Sequence, residues 1–218
     1  DLAMGENLFT KIILNHKSRD GYVKNAASPY QASEGVVPNT VSSHDALDTI
    51  DSRGYKFAIA YEGDSTSIDL SFDRTDQDNI PPFAQLTNTI PNWSAAFGVG
   101  ASPLTGGLKL WPIEMFKNSD RQGTAHINTS TYETSVVKGT SFTIAHDVSI
   151  GTVKAIWAKR ELNWDDKLDL DGGPFPIAET ERHTVYESET LEIQLSGSTD
   201  KLDYVVGYYA LKDDAFTF

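Results

Sequence analysis

Apolar and polar side chains alternate with a period of two through seven stretches of this chain, and the rest has no sustained period. In Arg53–Glu62 the residues Tyr55, Phe57, Ile59 and Tyr61 share one side, with Gly54, Lys56, Ala58 and Ala60 on the other. Thr66–Arg74 answers with Ile68, Leu70 and Phe72 against Ser67, Asp69, Ser71 and Asp73. The closing pair, Thr184–Ser196 and Lys201–Asp213, sets Leu191, Ile193 and Leu195 against Glu192, Gln194 and Ser196, then Tyr204, Val206 and Tyr208 against Asp203, Val205 and Gly207. Asn7–Ser18, Thr131–Val148 and Thr152–Glu161 follow the same rule less strictly. Alternation of this kind marks a β-strand with one apolar face, and the short turns at Gly63-Asp64-Ser65, Ser149-Ile150-Gly151 and Gly197–Asp200 join the runs as hairpins. The expected fold is all-β, an antiparallel up-and-down meander of about seven strands.

The connections alternate long, short, long, short, long, short. Irregular insertions are expected near residues 19–52, 75–130 and 163–183. In a meander every second connection lies at the same end, so all tight turns collect at one end of the sheet and all long loops at the other. Loops of roughly 30, 50 and 20 residues beside turns of three or four, with strands of about ten residues, are the pattern of an outer-membrane barrel. The domain expected over residues 1–218 is therefore a partial transmembrane β-barrel.

Period two does not say which way the apolar face looks. A soluble β-barrel or sandwich that binds a small ligand would turn it inward, whereas a membrane barrel shows it to lipid. The opposite face is mostly small or uncharged, unlike the Lys/Glu-rich exterior of many soluble sheets. Tyr55 and Tyr61 bracket Phe57 and Ile59 where aromatic girdles would sit. The membrane reading rests on one proposition, that lipid solvates the side bearing Phe57, Ile59, Leu70, Phe72, Ile193 and Val206.

Composition narrows the classes. Of 218 residues 39% are hydrophobic and 11% aromatic, a balance that suits a sheet with one polar face. The net charge of −13 argues against nucleic acid as a partner, since phosphate binding needs a basic surface. With no cysteine there is no disulfide and no thiolate metal site. No run approaches eighteen apolar residues, so no transmembrane helix is expected.

The chemistry-bearing motifs are few. Asp165-Asp166-Lys167-Leu168-Asp169-Leu170-Asp171-Gly172 departs from a calcium loop at Lys167 and at Ala178, so no metal is expected there. His16, His44, His126, His146 and His183 show no zinc-site spacing, and there is no G-x-S-x-G elbow. No catalytic residue, cofactor or enzyme activity is expected; Asp165, Asp166 and Asp169 are the one set of carboxylates that a glycan-cleaving rival could use. Trp93, Phe97 and Trp111, bracketed by Pro and Gly, together with Trp164 are the candidate ligand-binding aromatics of the long loops.

Several segments resemble TonB-dependent outer-membrane receptors. They are Arg19–Asn25 at the top of a strand, Val137–Phe142, Thr152–Arg160, and above all Leu191–Ser198 followed by Leu202–Tyr209. The resemblance implies a 22-stranded barrel around an N-terminal plug in the outer membrane of a Gram-negative bacterium. It also implies uptake of a scarce solute (an iron chelate, a vitamin or a glycan) and an inner-membrane TonB complex as the source of energy. The partners implied are outer-membrane lipid, the solute, and the rest of the barrel with its plug. Plug, TonB box and signal peptide have no counterpart in these residues, and seven strands are too few to close such a barrel. The chain is therefore expected to be a piece of a receptor.

Overall fold

The computed structural model describes residues 2–26, 46–88, 117–173 and 178–218. Among them every regular element is a strand. In chain order these are β1 (Leu2–Ala3), β2 (Leu8–Arg19), β3 (Val23–Asn25), β4 (Ala46–Leu47), β5 (Ile50–Glu62), β6 (Thr66–Asn79), β7 (Thr124–Ala125), β8 (Tyr132–Val148), β9 (Gly151–Asp169), β10 (Glu179–Thr199) and β11 (Leu202–Thr217). Eight of them form one antiparallel sheet in the order β1-β2-β5-β6-β8-β9-β10-β11. Seven are long, as the alternation predicts.

Tight turns lie at one end. Gly63 N–H donates to Thr66 O at 2.8 Å in the β5–β6 turn. Gly151, at φ 137°, begins β9 where a Cβ would overlap the Ser196 carbonyl oxygen of the neighbouring strand, so only glycine fits this corner. The long connections lie at the opposite end. Two of them are partly ordered by a second, three-stranded sheet, in which β3 pairs antiparallel with β4 and parallel with β7. Val23, Leu47, Ala125 and Ile127 are buried there, with Ile80 and Phe83 packed against them. These strands are two or three residues long, too short to show a period in the sequence.

The stretch expected as an acidic loop over 163–183 is instead mostly strand. β9 continues to Asp169 and β10 begins at Glu179, with Asp166 opposite Arg182 and Asp165 opposite His183. Here both faces are polar, so the hydrophobic period fades while the backbone ladder and cross-strand ion pairs continue.

The register settles which residues share a face. One row across the sheet reads Leu8, Tyr61, Ile68, Ile144, Ala155, Ile193, Tyr208, and the next reads Thr10, Ile59, Leu70, Phe142, Trp157, Leu191, Ala210. These apolar rows do not converge on a core. Leu70 is 44% exposed, Phe72 37% and Val206 66%, and the buried apolar residues among those described all belong to the small sheet. An apolar surface spanning seven strands far exceeds the few hundred Å² that a soluble monomer tolerates.

The border of this surface slants. On β2 and β5 it reaches the row of Leu14 and Tyr55 before His16 and Arg53. On β9, β10 and β11 it stops at Trp157, Leu191 and Ala210, the row of Thr10, and Lys159, Glu189 and Lys212 follow. Four residues of offset over six strand pairings is roughly 13 Å in 29 Å, a slope of roughly 25°. A horizontal hydrocarbon layer crosses the hydrogen-bonded rows obliquely only when strands tilt, as they do in membrane barrels. Along β2 the band from Leu8 to Leu14 spans about 20 Å, close to the height of an outward apolar band.

Candidate functional site: the polar inner wall

The other face of the large sheet is polar, and its centre is built by a missing side chain. Asp73 on β6, Gly139 on β8 and Arg160 on β9 are register partners in one row, continued by Lys56 on β5 and Ser188 on β10. Because Gly139 has no Cβ, the Arg160 guanidinium reaches across β8 and its Nη1 donates to Asp73 Oδ2 at 2.7 Å. A Cβ on Gly139 would sit 2.7 Å from Asp73 Oδ1 and 2.8 Å from Arg160 Cζ. The adjoining row is made of small residues, Ala58, Ser71, Ser141, Ala158 and Thr190, and the Ser71 and Ser141 hydroxyls lie 2.8 Å apart.

Small side chains beside long charged ones leave a recess of about 260 Å³ lined by Lys56, Asp73, Arg160 and the hydroxyls of Ser71, Ser141, Ser188 and Thr190. A second recess of about 360 Å³ adjoins it and shares Lys56, Ser71 and Ser141. The wall offers hydrogen-bond donors of both charged and neutral kinds. Such a surface suits contact with a polar solute or a packed polypeptide.

Toward the loop end of the same face stands a stacked triplet. Asp166 is 1% exposed and accepts two hydrogen bonds from Arg182, from Nε at 2.9 Å and Nη2 at 2.6 Å. The Arg182 guanidinium lies 5.1 Å from the centre of the Trp164 ring. The carboxylate raises the guanidinium's pKa above its already high ordinary value, so Arg182 stays charged. Trp164 thus sits within β9 and packs on its own sheet, whereas the sequence placed it in a loop. Trp93, Phe97 and Trp111 lie outside the described residues.

The three carboxylates available to a hydrolase are dispersed. Asp165 points to the outer face, 2.5 Å from His183 Nδ1, while Asp166 points to the inner face toward Arg182. Successive residues of a strand face opposite sides, so these two cannot flank one bond. Asp169 accepts from Gly172 N–H, and Asp171 accepts from the N–H groups of Gly173 and Ala178. Among the described residues no group of three or more His, Asp or Glu is arranged to hold a metal ion. The glycine gap, the feature most important to the inner wall, was present in the sequence as Lys138-Gly139-Thr140. A glycine within a Thr-rich strand is the signal, but its partners are 66 and 21 residues away and only the register identifies them.

No protein-family model and no curated protein matches the sequence. Among solved structures, the ferric yersiniabactin uptake receptor FyuA from Yersinia pestis is similar over 98% of this chain, with a TM-score of 0.60 and 12% identity. The chain spans 27% of that receptor's length. At this identity the likeness shows the fold: an antiparallel meander like part of a receptor barrel.

Proposed function

We propose that this chain is a segment of a TonB-dependent outer-membrane receptor, forming one third or so of a barrel wall that admits a scarce solute to the periplasm. The observation that carries the reading is the slanted apolar band, exposed on one face and bordered by charged residues. Its face is solvated by lipid, and the aromatic border residues Tyr55 and Trp157 sit where polar headgroups begin. Trp157 Nε1–H donates to Glu189 Oε1 at 2.7 Å, the behaviour of an amphipathic ring at an interface. The soluble barrel or sandwich alternative requires the same rows to be buried, which their exposure disfavours.

In this reading the face bearing Lys56, Asp73, Ser141 and Arg160 looks into the lumen. It contacts a plug supplied by other parts of the receptor and the solute that moves past it. The small sheet around Leu47 and Ile127 orders the loops on the outer side, where a solute first arrives. An iron chelate, a vitamin and a glycan all remain within the class, because a wall of mixed charges and hydroxyls selects polarity and not one structure. Energy would come from the inner-membrane TonB complex acting through segments outside these residues.

Trp157 provides the test. Reconstituted in bilayers containing lipids with a quencher in the acyl chain, the protein is expected to lose Trp157 fluorescence, and Trp157→Phe to lose the quenched component. A folded, water-soluble monomer whose emission ignores such lipids would overturn the assignment.

A further inference from the structure

Asp169 ends β9 beyond the apolar band and is only 3% exposed. Its Oδ1 accepts from Gly172 N–H at 2.9 Å, and the Asn128 backbone N–H also bonds the carboxyl. Its Oδ2 is buried and meets no donor among the described residues. The charged groups that face it are both acidic: Asp171 on the same turn, and Glu179, its register partner at the start of β10. The nearby Lys167 is turned toward Glu181 at 3.6 Å.

A buried carboxylate facing two others has to gain a compensating positive charge or lose its own. A metal fits poorly, because Asp171 is turned to backbone N–H groups and Glu179 Oε1 accepts from Asn128 Nδ2 at 2.7 Å. A proton fits. We propose that Asp169 is a proton-operated latch of the loop end, protonated when the turn at 169–173 is seated against residues 80–88 and released when the proton leaves.

The connection between the two segments is direct. Gly172 has φ 68°, and a Cβ there would overlap the Ala84 carbonyl oxygen, so the turn presses on this strap without an intervening side chain. The strap carries Ile80 and Phe83 to the buried cluster of the small sheet. Gln85 Nε2 donates to the carbonyls of Asn118 and Asp120, and Gln85 Oε1 accepts from Gln122 N–H. Unseating the turn therefore reaches the packing that orders two long connections.

Burial, reinforced by Asp171 and Glu179 and opposed by the Gly172 N–H, pushes the carboxyl up to about 7 from an ordinary 3.8. The raised value means that the seated state holds a proton that the open state has already lost between about pH 4 and 7. Stability of the seated turn is full below about pH 4, falls as pH rises through that window, and is level above it. The inference concerns this turn and does not depend on the transported solute or on uptake.

Hydrogen–deuterium exchange of the folded full chain in detergent, corrected for intrinsic rates, tests it. Protection of amides 83–86 and 170–173 should fall by up to about tenfold per pH unit between pH 4 and 7 while β5 and β6 stay constant. In Asp169→Asn the slope should vanish, with protection still high at pH 8. Protection independent of pH in the parent, or a slope that persists in Asp169→Asn, would overturn the latch. Millimolar calcium restoring acid-level protection at pH 8 would also overturn it, in favour of a cation. Should Asp169→Asn fail to fold, Asp171→Asn must move the midpoint to lower pH, because removing a facing negative charge makes ionisation of Asp169 easier; a midpoint shifted downward supports the latch and an unmoved or raised one refutes it.

Discussion

Asp73 and Arg160 are joined across a strand that separates them, because the residue between them is Gly139. Their 2.7 Å ion pair is half open to solvent, with Arg160 more exposed than Asp73. In such a setting attraction is largely screened and the pair contributes at most about 1 kcal/mol. Its consequence is geometric: it holds a cation and an anion at fixed positions on the inner wall, beside hydroxyls that leave room for a ligand.

Gly139→Ala should therefore separate the pair at little cost to the fold. The added Cβ meets the mobile ends of Asp73 and Arg160, which can move aside. A loss of no more than about 1 kcal/mol is expected in urea unfolding, as for Asp73→Asn. If the wall lines a transport path, both substitutions in the complete receptor should alter solute uptake at unchanged surface expression. A loss of several kcal/mol would instead make the pair a structural element.

The Asp166–Arg182 pair should behave in the opposite way. Its carboxylate is out of water and held by two hydrogen bonds. Arg182→Met would leave the buried Asp166 carboxylate without its partner and should lower the denaturation midpoint by clearly more than Gly139→Ala does. Arg182→Met with Asp166→Asn should recover part of that loss, since the uncompensated charge is gone. The readout is the denaturation midpoint, and Trp164 emission should report the lost guanidinium stack; equal midpoints for the single and double variants would contradict the account.

The two faces of β6 and β8 should differ in their tolerance of charge. Leu70 lies in the middle of the apolar band, and Leu70→Lys should cost about 2–4 kcal/mol in folding into lipid vesicles. Ser141 lies on the polar wall, register partner of Ser71, and Ser141→Lys should fold with little penalty. Equal penalties at the two positions would mean that lipid does not solvate the Leu70 face.

Strand identity was legible where one face is apolar. Tyr55, Phe57, Ile59 and Tyr61 mark a strand that the structure extends only slightly, to Ile50–Glu62. The hairpin around Asp200 was equally plain, since its two runs pair in register from Thr199 with Leu202 onward. The outer ends of β9 and β10 were not, because Trp164, Asp165, Asp166 and Lys167 carry polar groups to both faces and leave no period to read. The small sheet was hidden for a different reason. Its parallel pairing of Lys24 with Thr124 joins segments a hundred residues apart, and nothing in either segment alone announces the other.

Alternation along the chain, by itself, determined that this protein is a meander of hairpins with one apolar and one polar face, because successive side chains of any strand must point to opposite sides. Tertiary structure decided how those faces are assembled. Only the register could line up Leu8 with Tyr208 through five intervening strands, show the slant of the apolar border, and place Asp73 and Arg160 on either side of Gly139. Those relations are set by hydrogen bonding between distant segments, and a local pattern carries no record of its neighbour.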